Sequence, residues 1–84
     1  MDSFIATISF FAGSFVPRGW MSCDGRLLQI SQYTALFSLL GTQYGGDGNT
    51  NFALPSLQHM TETMPALHGV QVIICVEGIY PAKD

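Results

Sequence analysis

The sequence predicts a small α+β domain. Three observations carry this reading: an alternating apolar run at residues 4–11, a helical apolar stripe at 32–40, and a second, almost wholly apolar run at 70–76. In the first run Phe4, Ala6, Ile8 and Phe10 fall on one face of a strand and Ile5, Thr7, Ser9 and Phe11 on the other. Pro17-Arg18-Gly19 makes a turn, Trp20-Met21-Ser22-Cys23 a short strand, and Asp24-Gly25 a hairpin turn that predicts Arg26–Ile30 as the returning strand. Ser31 is a suitable N-cap for a helix near 32–40. Tyr33, Leu36, Phe37 and Leu40 form its apolar stripe, and Gly41 stops it. Residues 41–51 are a glycine-rich loop, and Phe52-Ala53-Leu54-Pro55 brings the chain back to the core. Residues 56–69, broken by Pro65 and Gly69, carry no clear pattern. Val70–Val76 is apolar on nearly both faces, as a buried central or interface-covered strand is. The expected architecture is a small mixed sheet with an N-terminal strand, a β-hairpin, one short helix, the glycine loop and a buried C-terminal strand.

At 84 residues the chain is a single domain, 1–84. A domain this small buries only about 63% of its surface. Only nine side chains carry charge, 11% of the chain, where about 25% is usual. The surface is therefore either rich in neutral polar groups or covered in part by another protein, and the second reading fits an assembly component. Three scattered basic residues make no phosphate-tracking patch, which argues against nucleic-acid binding. No apolar run approaches the roughly 18 residues of a membrane span. The start lacks the basic region of a secretory signal. Cys23 and Cys75 allow one disulfide or none and are too few for an all-thiolate zinc site.

Each motif with chemical potential fails on a specific residue. Asp47-Gly48-Asn49-Thr50-Asn51 opens like a calcium loop, but Phe52 stands where the sixth-position glycine belongs and Gln58 where a bidentate Glu belongs. Gly45-Gly46-Asp47-Gly48 is one copy of a calcium repeat that needs stacked neighbours. Gly41 to Gly46 has phosphate-loop spacing, with Asp47 in place of the lysine. His59 and His68 have no metal-ligand spacing with Glu62. Cys23 could act as a nucleophile beside a histidine, but nothing in the sequence brings them together; it reads as a small buried residue. Asp24 and Asp47 could pair for acid–base work, yet both sit beside glycines, where Asp serves turns. No catalytic residue, metal or cofactor is expected. Trp20, Tyr33, Tyr44 and Tyr80 could form a glycan-stacking surface; Trp20 and Tyr33 read as core, and Tyr44 as the ring available to a partner or ligand.

A succession of fixed-spacing elements then becomes recognisable: Phe11-Ala12-Gly13-Ser14-Phe15, Pro17-Arg18-Gly19-Trp20, Cys23-Asp24-Gly25, Ala35-Leu36-Phe37-Ser38-Leu39-Leu40-Gly41-Thr42, Tyr44-Gly45-Gly46-Asp47-Gly48 and Phe52-Ala53-Leu54-Pro55. From residue 4 to 55 the chain resembles the phage tail-collar family, also called the microcystin-dependent-protein-like family. Residues 72–81 are similar to that family's closing strand. Ser56-Leu57-Gln58-His59-Met60 departs from the family's Asp-Leu-Arg-Gly-Arg stretch, and the long insertion before the closing strand is missing, so the chain resembles the compact members. The resemblance implies a structural module of a phage tail, tail fibre or phage-derived particle, located in the virion and assembled in the host cytoplasm. Its implied partners are itself, commonly around a threefold axis, and neighbouring tail or fibre subunits. A glycan- or receptor-binding module at a tail tip or bacterial surface is the alternative. Interface candidates are Tyr44, Asp47, Asn49, Val70, Val72, Ile74 and Tyr80. A reducing cytoplasm makes Cys23 and Cys75 free thiols.

Overall fold

The structure, a computed structural model, describes residues 3–82. Its strands are β1 (Ile8–Phe11), β2 (Trp20–Ser22), β3 (Leu27–Gln29), β4 (Asn51–Ala53) and β5 (Gln71–Cys75). Its helices are α1 (Thr34–Leu40) and α2 (His59–Thr63), followed by a 3-10 turn at Pro65–Leu67. The α+β class holds, with the strands divided between two small antiparallel sheets, β1-β5-β2 and β3-β4.

β5 is the central strand that its apolar sequence predicts. Val72, Ile73, Ile74, Cys75 and Val76 are all buried. Val72, Ile74 and Val76 join Leu28, Leu36, Phe52, Leu54, Ile5 and Cys23 in one core. On the other face Gln71 donates from Nε2 to the carbonyls of Gly13 and Phe15, at 2.7 and 3.2 Å, which folds the segment after β1 back on the sheet. Phe52, Leu54 and Pro55 are fully buried, so the returning segment is the anchor its composition predicts.

Three expectations are corrected. First, the strand over 4–11 is interrupted. Ala6 sits at φ 76°; its N–H donates to Cys75 O, while Cys75 N–H donates to Thr7 O, both at 2.9 Å. Two residues thus oppose one, the geometry of a β-bulge. Regular pairing begins at Ile8, and Phe4 makes an isolated parallel bridge with Ile79.

Second, Asp24-Gly25 does not close a hairpin. β2 pairs with β5, and β3 pairs with β4 instead of returning on β2. The Asp24 carboxylate accepts the backbone N–H of Arg26 at 3.1 Å and its guanidinium at 3.0 and 2.8 Å. Around this turn the chain zips onto residues 54–57: Gly25 N–H to Pro55 O, Leu54 N–H to Arg26 O and Leu57 N–H to Cys23 O. A buried apolar partner at 52–55 wins over a local hairpin that would leave both segments exposed.

Third, α1 begins at Thr34, and its N-cap position is Tyr33, with no side-chain cap from Ser31 or any other residue. The helix entry is held instead by Tyr33 N–H on the Gln29 and Ile30 carbonyls and by Thr34 Oγ1 on Ile30 O at 3.1 Å. The stripe is as predicted: Leu36 is buried, and Tyr33, Phe37 and Leu40 pack against the core. Gly41 ends the helix at φ 56°.

Ala6 is the one described non-glycine residue at positive φ. A left-handed conformation costs an L-residue about 1–2 kcal/mol, and glycine's extra unfolded-state entropy returns about 0.4–1. Ala6→Gly should therefore stabilise the domain by about 0.5–1 kcal/mol, raising Tm by about 3–6 °C in calorimetry.

Candidate functional site

The glycine loop between α1 and β4 is the most structured surface feature. Gly45, Gly46 and Gly48 hold φ of 130°, 96° and 73°. At Gly46 a Cβ would meet Asn51 O at 2.9 Å and the backbone of Phe52, so the loop lies directly against β4. Asp47 organises the far side. Its Oδ1 accepts the backbone N–H groups of Asn49, Thr50 and Asn51 at 2.8, 2.8 and 3.1 Å, and its Oδ2 accepts the Thr50 hydroxyl at 2.9 Å. Asn51 Oδ1 in turn accepts Asp47 N–H at 2.9 Å. These donors hold the Asp47 carboxyl well below the usual carboxylate range. The same geometry answers the calcium reading: both carboxylate oxygens face N–H and O–H donors, not a cation site.

The other candidates are separated. Asp24 is bound to Arg26, whose hydrogen bonds lower its pKa; it and Asp47 each serve their own turn, so they do not form an acid–base pair. His59 and His68 are exposed, one on α2 and one after the 3-10 turn. Among the described residues no three His, Cys, Asp or Glu side chains gather as a metal site. Cys23 and Cys75 are both buried free thiols. Burial, then the charge of Asp24, pushes the Cys23 thiol up to about 11, and burial raises Cys75. A thiol held this way is a poor nucleophile.

Of the interface candidates, Tyr44, Asp47, Asn49 and Tyr80 are exposed and Val70 is half-buried. Val72 and Ile74 are corrected: both lie inside the chain's own core, at 1% and 0% exposure, because β5 is covered on both faces. Tyr44 accepts from Gln43 Nε2 at 2.9 Å. Tyr80 hydroxyl meets Ser38 Oγ at 2.7 Å, which ties the segment after β5 to α1. Trp20 is half-buried on β2, and Tyr33 packs on the core, so the four aromatics considered for glycan stacking do not all offer a free face. Gln29, Ile30, Ser31, Asn49, Thr50 and Asn51 line an open pocket of about 460 Å³ beside the loop. Ile30 lines it together with amide and hydroxyl side chains, and no aromatic ring does.

Sequence reasoning missed Gln58. Its Nε2 donates to Ser22 Oγ at 2.7 Å and to Val72 O at 2.9 Å, and its Oε1 accepts Val72 N–H at 3.4 Å. This amide substitutes for strand pairing where β2 ends. Nothing in the residues around it signals such a role.

The family model of the Phage Tail Collar Domain matches residues 6–61, well over half the chain. The chain belongs to the phage tail collar domain family. The match runs from the bulge at Ala6 into α2 and takes in the whole glycine loop, while β5 lies beyond it. Collar domains are structural modules of phage tails and fibres, which makes this chain a virion tail component; the family is not known as enzymatic. No curated protein matches the chain. No helix among the described residues is long and apolar enough to cross a membrane.

Two outcomes follow from the titrating groups. Asp47, depressed in the folded state, contributes stability that is present above the unfolded carboxyl value of about 3.9 and is lost as pH falls below it. Asp47→Ala should lower Tm at pH 7, and its deficit against the wild type should shrink on acidification below about pH 4. Cys23 behaves oppositely. Its raised value makes the folded state hold the proton more tightly, so stability is intact below about pH 8.5 and declines as pH climbs toward about 11. Urea midpoints measured from pH 8 to 11 should fall, and less steeply in Cys23→Ala.

Proposed function

We propose that this collar domain is an assembly module that acts by self-association and by docking onto neighbouring tail or fibre subunits. The observation that carries this is the mismatch between surface and charge. Phe4, Phe10, Phe15, Leu27, Met64 and Tyr80 are each about half exposed or more, in a chain with only nine charged residues. Scattered apolar residues are normal on a surface, but this density in so small a domain marks contact with other proteins. The accessible surface, 5538 Å², also exceeds the roughly 4,900 Å² expected of a compact monomer of this mass.

Closed cyclic symmetry is the default for homo-oligomers, and the threefold form implied by the family resemblance is the one we propose. The glycine loop supports a placement of one contact. It is rigid by construction and displays Tyr44 and Asn49, whose amide side chain makes no hydrogen bond among the described residues. Host-cytoplasmic assembly is proposed with the same reading, and the buried, high-pKa thiols are compatible with a reducing compartment. The alternative, a glycan-binding module, would draw on the pocket beside the loop. Its lining lacks the aromatic face that usually anchors a sugar ring, which weighs for assembly.

Sedimentation velocity at micromolar concentration tests the reading. A species heavier than the 9.1 kDa chain is expected. Asn49→Ala should keep the wild-type Tm and weaken association by about three- to tenfold. A monomer at every concentration overturns the proposal.

A further inference from the structure

The outer edge of β1 carries exposed apolar residues and no charge. Among the described residues β1 pairs only with β5, so one side of it is open. The bond from Cys75 N–H to Thr7 O sets the phase of the ladder: residues 7, 9 and 11 direct their main-chain groups to β5. Ile8 and Phe10 therefore point their N–H and C=O groups away from the sheet. Among the described residues Phe10 O receives only a long 3.4 Å bond from the neighbouring Ser9 hydroxyl. The same two residues are the exposed apolar ones, Ile8 at 43% and Phe10 at 49%. They share the face of Val72 and Ile74, so they extend the core beyond its cover.

Edges of this kind are usually guarded by lysine, proline or an inward charge. Here no charged residue lies between Asp2 and Arg18, and no proline precedes Pro17. We propose that the free edge of β1 pairs antiparallel with β1 of a second copy, about a twofold axis at Ser9. This rests on the self-association proposed above and names one surface for it.

A second copy fits for three reasons. In this register Ile8 lies opposite Phe10 of the second copy and Phe10 opposite its Ile8, and β-branched and aromatic side chains pair favourably across strands. Each opposed pair exchanges two main-chain hydrogen bonds, which satisfies all four outward groups on both strands. A strand without charge meets no like-charge repulsion from its own copy. The exposed parts of Phe4, Ile8, Phe10, Phe15 and Val16 in this uncharged segment come to about 500 Å² per copy, so at most about 1,000 Å² for a pair. That is the size of a reversible contact. Combined with a threefold ring, it closes as a dihedral hexamer.

Ser9 then faces Ser9 of the second copy at a non-hydrogen-bonded position, with Cα atoms ~4.5 Å apart, within disulfide range. Ser9 and Ser14 are both exposed, so a cysteine at either is tolerated by the fold, which circular dichroism checks. Under mild oxidation Ser9→Cys should form a covalent dimer that keeps the native spectrum, and Ser14→Cys should not. Adding Phe10→Lys to Ser9→Cys should cut the cross-linking rate by about tenfold. Sedimentation should find even-numbered species. An oligomer in which Ser9→Cys fails to cross-link overturns the edge pairing and leaves self-association standing. Equal cross-linking at Ser14, or no effect of Phe10→Lys, also overturns it. A monomer throughout overturns both.

Discussion

The fold depends on the insertion of one five-residue strand. β5 lies between β1 and β2 and pairs with both. Its alternate residues carry hydrogen bonds in opposite directions: 71, 73 and 75 toward β1, 72, 74 and 76 toward β2 and Cys23. Every side chain from Val72 to Val76 is buried. Most of what stabilises the domain therefore awaits the arrival of the last quarter of the chain. Long-range pairing of this kind is slow, since loop-closure entropy is lost before contacts form. The segment 3–7 is held the same way, by Ile5 N–H on Ile79 O and Ile79 N–H on Ser3 O. Gly78 is required there because a Cβ would run into Ser3 O and lie 3.1 Å from Cys75 Sγ.

The second unit, β3, β4, α1 and the glycine loop, is organised locally. Asp47 closes its own turn, Gly41 stops its own helix, and Phe52 packs on Phe37 with ring centroids 5.4 Å apart. This division explains what the residues disclosed. Signals that act within a few positions were legible: the helical stripe, the positive-φ glycines, the Asp turn and the apolar anchor at 52–55. The central strand was legible because burial on both faces leaves no polar residue in 72–76.

Partner choice was not legible. Asp24-Gly25 marked a turn correctly, but a turn signal does not say which strand receives the chain, and the buried segment 52–55 outcompeted β2. The bulge at Ala6 was hidden because alanine does not announce a left-handed backbone; a glycine would have. Ser31 resembled a cap, yet helix entry was decided by carbonyls of Gln29 and Ile30 already fixed by the β3–β4 pairing. Val72 and Ile74 were placed at an interface for the reason that they are in the core: apolarity alone cannot tell an internal partner from an external one. The family match shows membership, and it ends at residue 61, before the β5 residues Val72 and Ile74.

The apolar surplus that remains outside is a consequence of size. The described residues form one core cluster, to which β5 and Val76 give Val72, Ile74 and Val76. Strands at the rim cannot bury their outer flank without another layer. In a monomeric protein that flank would carry charge. Here the whole segment from Ser3 to Pro17 is neutral, and its exposed members include Phe4, Ile8, Phe10 and Phe15. Leaving such a segment uncharged would invite aggregation if it stayed open to water. It fits the proposed reading, in which the missing layer is another protein subunit.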